Sequence, residues 1–435
     1  MSNRALALTI AAALAVAPAC ATAADWSGPV RVPGRTGLTV PHVGMAASGE
    51  AVLMWSDGGG RIYALVRSRT GRFSAPQRLA AGADGYAVRA EQLAVGRDGT
   101  AAVVWAQNSK RSPHYRVMAA VRRPHGRFGR AVLVGRAQSV FRSTPDVAID
   151  RHGNVVVAWS RNDWPQLAVA PAGRSFGAVR TLRGWGAQVV IAFATDDRLY
   201  AAFSGGGVFA TSARSPYRFT APRRVAAGPV QDPALAAARA GSMTLAWRGG
   251  LPDSEGNGIG GGAIWAAVST AGHAFAAPAV VSPPGITGRQ PVLAGGPRGT
   301  LVSWDKFDGG WPGEPPATAP VYTWLTQGSG TGSWLTSQPL AAPGDWTTVP
   351  GMAIDARGVA TVAYMRRTST DMRALAVRSG PLGSPLGPER ILATQADSSD
   401  AHNFWWQAAV ASSGRTTLVV WSRLGAGLVL YSRTT

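Results

Sequence analysis

Cysteine is all but missing: Cys20 is the only one in 435 residues. Disulfide scaffolds, Cys-ligated metal sites and cysteine nucleophiles are thereby excluded from the rest of the chain. Lysine is nearly as scarce. Only Lys110 and Lys306 occur among 43 basic residues, and acids number 23, so arginine sets the formal net charge of +20. Charged residues make up only 15% of the chain, and the six histidines form no dense cluster. H-E-x-x-H and G-x-S-x-G are both absent, which removes two common hydrolase signatures. No run of 18 uninterrupted apolar residues appears, so a membrane-spanning helix is not expected. The 54 glycines and 30 prolines punctuate the chain without reaching the density of low-complexity disorder.

The first 23 residues read as a targeting segment. Arg4 supplies a positive start, Ala5 to Ala17 an apolar run, and Ala21-Thr22-Ala23 a small-residue cleavage site. Residues 1–23 are therefore expected to be a signal peptide and 24–435 one exported domain, whether secreted, periplasmic or on the cell surface. Ala17-Pro18-Ala19-Cys20 is a poor lipoprotein box, because Ala17 stands where Leu or Val is usual, so anchoring through Cys20 is the less favoured route.

After residue 40 a unit repeats: a short apolar strand, a Gly turn, and a second strand ending in an aromatic. MAASGEAVLMW ends at Trp55, LAVGRDGTAAVVW at Trp105 and VAIDRHGNVVVAW at Trp159. Further copies end at Phe203, Trp247, Trp304, Tyr364 and Trp421. A third strand follows each, then a segment such as FSAPQRL (73–79) or FTAPRRV (219–225). Four short strands per repeat predict an all-β chain folded as a single β-propeller of eight four-stranded blades. The eighth unit ends after its third strand, and WSGPVRV (26–32) has the pattern of the missing fourth. The N-terminal strand should therefore complete the last blade and close the ring. The recurrent aromatics are read as packing between blades, not as a ligand ring.

Lettering strands a to d from the axis outward, b–c loops and d–a links share one face, the top. The a–b and c–d turns share the other, which gathers most of the surplus arginine. That basic face suits an anionic surface; nucleic acid is disfavoured because no recognition motif accompanies the charge.

Three constellations on the top could carry chemistry. Asp253, Glu255 and Asn257 alternate ahead of Gly258 and could curl around Ca²⁺, the one cofactor suggested, although Ile264 stands where a closing Glu would belong. Trp164, Trp185, Trp311, Trp346, Trp405 and Trp406 fall in predicted top loops, where indole faces beside polar groups suit saccharides. His42, Gln92, Asp146, Asp232, Gln290 and Gln407 should ring the axial mouth, with Arg89, Arg142 and Arg289 nearby. Asp146 and Asp232 are the candidate pair for a glycosidase, which needs two carboxyls flanking the scissile bond.

VAIDRHGNVVVAW and LAVGRDGTAAVVW resemble the repeats of secreted bacterial sialidase-like (BNR-type) propeller proteins. The resemblance is architectural and covers most of residues 26–435. It departs at the Asp box, S-x-D-x-G-x-x-W: no full copy occurs, and the D-x-G element sits in the turn before the aromatic strand. The family's three arginines and Tyr/Glu pair find no matching motif here, so no catalytic role is carried over.

The reading that follows is a monomeric, non-catalytic exported propeller that binds an envelope or extracellular ligand, polysaccharide foremost, through Trp164, Trp311, Trp346, Trp405, Trp406, His42 and Arg289. The alternatives are a glycan-active hydrolase or lyase using top-face carboxylates, and a protein-interaction platform.

Overall fold

The computed structural model describes residues 25–34, 40–57, 60–81, 86–109, 114–137, 144–215, 217–250, 262–270, 272–286, 288–306, 323–341, 346–347, 350–367, 372–396, 408–423 and 427–434. For Arg89, Arg289 and Trp346 it describes the backbone alone.

Eight antiparallel sheets stand around a central axis. From the axis outward, blade 1 consists of Pro41–Met45, Ala51–Ser56, Arg61–Arg67 and Gln77–Ala81. Blade 2 has Tyr86–Val95, Ala101–Ser109, Tyr115–Arg122 and Val132–Ala137, and blade 3 has Asp146–Ile149, Val155–Arg161, Trp164–Ala170 and Arg180–Thr181. Blade 4 has Gln188–Phe193, Leu199–Ser204, Gly207–Ala213 and Arg223–Ala227, and blade 5 has Val230–Ala237, Met243–Gly249, Ala263–Ser269 and Ala279–Val280. Blade 6 has Gly288–Gly296, Gly299–Lys306, Thr323–Gly328 and Gln338–Pro339. In blade 7 the inner strand is broken: Trp346–Thr347 and Gly351–Ile354 both pair with Val359–Arg367, outside which lie Met372–Pro381 and Arg390–Ala396. Blade 8 has Ala408–Ser413, Thr416–Arg423 and Gly427–Thr434, with Val30–Arg31 as its outermost strand. Inner strands pack against their neighbours all the way round, the last against the first. The expected eight blades and the expected closure by the N-terminal strand are both present.

The eight repeat aromatics sit on b strands and are each at most 3% exposed. Bulk there needs room in the neighbouring blade, and glycine supplies it. A Cβ on Gly135, in strand d of blade 2, would lie 2.2 Å from the Trp159 ring of blade 3. Gly34 and Gly184 face Trp55 and Phe203 in the same way across their own seams. The aromatics are therefore inter-blade packing, as the repeat implied. Five buried prolines lie on the inner strands or just before them: Pro41 opens that of blade 1, Pro145 and Pro350 immediately precede Asp146–Ile149 and Gly351–Ile354, and Pro233 and Pro291 stand where the pairing of blades 5 and 6 is interrupted. A strand's first residue can lack an N–H without breaking the ladder.

The D-x-x-G turns before the aromatic strands of blades 3 and 7 are self-bonded. Asp150 Oδ1 accepts from the N–H groups of His152 and Asn154, both at 2.9 Å, and Asp355 Oδ1 from Arg357 and Val359 at 2.9 and 2.8 Å. The acids at these positions shape turns, the usual work of Asp in such sequences. Side chains then rivet turn to turn across seams. Buried Arg122 of blade 2 pairs with Glu50 of blade 1 at 2.8 Å and donates to Gly99 O and Gly126 O, each at 2.9 Å.

Candidate functional site

The inner strands carry a shared irregularity at the axial mouth. In blade 2 the pairing runs Arg89–Ala106, then Gln92–Val104. Blade 5 runs Gln231–Arg248, then Ala234–Ala246, and blade 6 runs Arg289–Asp305, then Val292–Ser303. In each, two inner residues face one residue of strand b, and that one is the repeat Trp. Such bulges redirect side chains and concentrate near functional sites. Asp232 and Gln290 take left-handed φ of 54° and 48° in the bulges of blades 5 and 6. Neither is glycine, so both store local strain.

The bulge in blade 5 turns Asp232 into a link between three blades. Gln188 of blade 4 accepts from the Asp232 N–H at 2.7 Å and donates its amide to Asp232 Oδ1 at 3.3 Å. The other oxygen meets Arg248 Nε at 3.1 Å and the Gln290 N–H of blade 6 at 3.4 Å. Arg248 also donates to Gln231. On the opposite arc, Ser56 of blade 1 donates to Glu91 of blade 2. His42, beside them, is held below the usual imidazole range by burial, which the Glu91 charge only partly offsets.

Asp146 opens the inner strand of blade 3. Its Oδ1 accepts from the Val147 N–H and its Oδ2 from the Ile191 N–H of blade 4, both at 2.8 Å. Burial raises its pKa to about 6, against the opposing pull of those two backbone N–H groups. The sign of the pH dependence follows directly. An acid whose pKa is higher folded than unfolded stabilises fully below the unfolded value, and the benefit is lost as pH rises through 6. Relative to Asp146→Asn, the native chain should lose about 2 kcal/mol between about pH 4 and pH 7. Urea unfolding of both proteins across that range measures it; parallel pH profiles would contradict it.

Asp146 and Asp232 both contact the inner strand of blade 4. They lie on blades 3 and 5, with the inner strand of blade 4 between them. Their contacts on that strand, Ile191 and Gln188, are three residues apart, or about 10 Å of strand. Each carboxylate already bonds across a seam. A Tyr–Glu contact does occur, with the Tyr364 hydroxyl 2.5 Å from Glu389 Oε2 and Arg366 on the other oxygen. Tyr364 is nevertheless the packing aromatic of blade 7: it is fully buried, its hydroxyl lies 3.0 Å from Leu340 O of blade 6, and burial and Glu389 drive its pKa far up.

The tryptophans divide differently. Trp164 and Trp185 are 49% and 54% exposed, among the most exposed large apolar side chains described. Trp164 follows a two-residue hairpin turn, Asn162-Asp163, with φ of 53° and 59°. Left-handed values at both central residues mark a type I′ turn, which Asn and Asp tolerate. Trp185 lies in the link from blade 3 to blade 4. Gly186 N–H donates to Asp163 O at 2.7 Å and Ser160 Oγ to Gly186 O at 3.0 Å, so the two tryptophans sit on segments bonded to one another. Trp311, Trp405, Trp406, Asp253, Glu255 and Asn257 lie outside the described residues. Among the described residues no cluster of three His, Cys, Asp or Glu is arranged to hold a metal.

One concavity was not foreseen from the sequence. A cavity of about 310 Å³ opens at the seam of blades 4 and 5, between Pro229, Trp247, Gly249, Trp265 and Pro278. Its signal was present in Gly249-Gly250, which ends strand b without side chains, and in Trp265, which interrupts an otherwise small-residue strand.

No known family and no curated protein matches the sequence. Solved structures do match in shape. BP39L lectin from Burkholderia pseudomallei is 10% identical with a TM-score of 0.51, over 82% of this chain and 100% of its own. Virginiamycin B lyase from Staphylococcus aureus is 8% identical with a TM-score of 0.45, over 94% and 100%. A Hadza microbial sialidase is 11% identical with a TM-score of 0.41, over 88% and 76%. At such identities the likeness is one of fold alone, and the chain is a β-propeller of eight four-stranded blades.

Proposed function

We propose that this is a non-catalytic saccharide-binding propeller acting outside the cytoplasm, whose ligand stacks on Trp164 and Trp185. The observation that carries the reading is the pair itself. Two half-exposed indoles stand on adjoining top-face segments fixed by backbone hydrogen bonds. A pyranose ring presents an apolar face to such a surface while its hydroxyls need polar partners, which Arg161, Asn162 and Asp163 offer beside it. Pinning the turn lowers the ordering cost of binding. Export rests on the pattern of residues 1–23.

Incubation of the purified chain with a broad glycan panel, read by binding and by mass spectrometry, tests the proposal. Bound glycans should be recovered intact. Trp164→Ala and Trp185→Ala should each weaken binding by about 10- to 30-fold, the loss of about 1.4–2 kcal/mol expected of an anchoring aromatic. Shorter products that vanish in Asp146→Asn or Asp232→Asn would replace this reading with a glycan-active enzyme. Affinity unchanged in both Trp variants would move the site elsewhere.

A further inference from the structure

The opposite face carries a second surface. Its turns interlock from blade to blade. Gly49 in the a–b turn of blade 1 lies against Arg69 in the c–d turn of the same blade, and Ala47 N–H donates to Arg97 O of blade 2 at 3.0 Å. Gly99 of blade 2 lies against Glu50 and Ala46 of blade 1, and Arg123 reaches Gly173 O of blade 3. Arginines ride on this continuous belt. The acids within it are already engaged: Glu50 by Arg122, Asp98 by Thr100, Asp150 by its own turn, Asp196 by Arg214, and Asp197 by Arg151. Arg69, Arg72, Arg97, Arg127, Arg174 and Arg218 are exposed and meet no acid among the described residues.

We infer that this arginine arc, spanning blades 1 to 4, docks the disk on a bilayer rich in anionic phospholipid headgroups. The charges stand on the tips of short turns along one end of the ring, where a planar surface can meet all of them together. The described cavity lies at the top rim, away from these turns. Among the exposed large apolar side chains described, only Val179 and Leu335 stand between strands c and d, and both lie next to strand d and not at the turn tip. Attachment would therefore be electrostatic and peripheral, without insertion. Guanidinium groups bond phosphate oxygens in pairs, which favours arginine here. The inference is independent of the saccharide reading.

The test uses residues 24–435, which contain every described residue and omit the apolar run 5–17. Sedimentation compares vesicles of phosphatidylcholine with vesicles that also contain phosphatidylglycerol. Binding should require phosphatidylglycerol and weaken steeply with salt. The combined variant R69Q/R97Q/R127Q/R174Q should bind several-hundred-fold more weakly, since each surface arginine contributes about 1 kcal/mol and 1.4 kcal/mol is tenfold. A control of equal charge change on outer strands, R78Q/R136Q/R223Q/R224Q, should lose only a few-fold, with melting temperatures confirming that both variants fold. Equal losses would reduce the effect to net charge and overturn the inference. So would retention on dextran sulfate beads with none on the vesicles.

Discussion

A chain lacking residues 25–32 should melt at a lower temperature and form larger species than the intact protein. These residues close the ring. Val30 and Arg31 pair with Leu430 and Val429, Ser27 N–H donates to Ser432 O at 2.8 Å, and Val32 N–H to Leu428 O at 2.9 Å. Val32 is 1% exposed, the Arg433 guanidinium sits 5.1 Å from the Trp26 ring, and Asp25 pairs with Arg390 at 2.8 Å. Burying Val32 contributes about 1.5–3 kcal/mol and each hydrogen bond about 1, part of which is offset by the entropy of ordering the segment. The larger consequence is the edge left open on Gly427–Thr434, whose unpaired backbone groups would template association. Size-exclusion chromatography and thermal unfolding read both effects, and a peptide of residues 25–32 added in trans should reverse them. A truncated chain with the melting temperature and elution of the intact one would show that closure contributes little.

Trp159→Ala should cost about 3–5 kcal/mol, the range for removing a fully buried aromatic. The companion result is more diagnostic. Gly135→Ala alone should also be strongly destabilising, because its Cβ would stand 2.2 Å from Trp159 Cζ2 and neither blade can retreat without breaking its ladder. In the Trp159→Ala background the same substitution should cost little or stabilise, since the new methyl enters the vacated space. A double-mutant cycle by thermal unfolding measures the coupling. Additive effects would mean that the two residues do not share the seam.

The architecture was legible because the repeat writes it in residues of low ambiguity. A Gly turn fixes the a–b hairpin and an aromatic fixes the end of strand b, so eight aromatics index eight blades. Closure by WSGPVRV was legible for the same reason, as a fragment matching a missing slot. The mouth was legible only in composition. Asp146 and Asp232 belong to it, but their partners are the Ile191 N–H and the Gln188 amide of the next or previous blade, which ring geometry alone brings into reach. The bulges at Asp232 and Gln290 were hidden because one extra residue opposite a Trp leaves the apolar alternation on either side intact. The acids of the D-x-x-G turns differ, since their partners lie two and four residues on along the same chain segment.

The fit of Trp159 to Gly135, of Trp55 to Gly34 and of Phe203 to Gly184 has a direction, since each aromatic meets a glycine supplied by the blade before it. Blades of such a ring are not interchangeable parts, however alike their repeats. A blade copied to another position would bring its aromatic but not its predecessor's glycine. Sequence drift in one repeat is therefore answerable to the repeat upstream, and change at these positions should be inherited in pairs that straddle a seam.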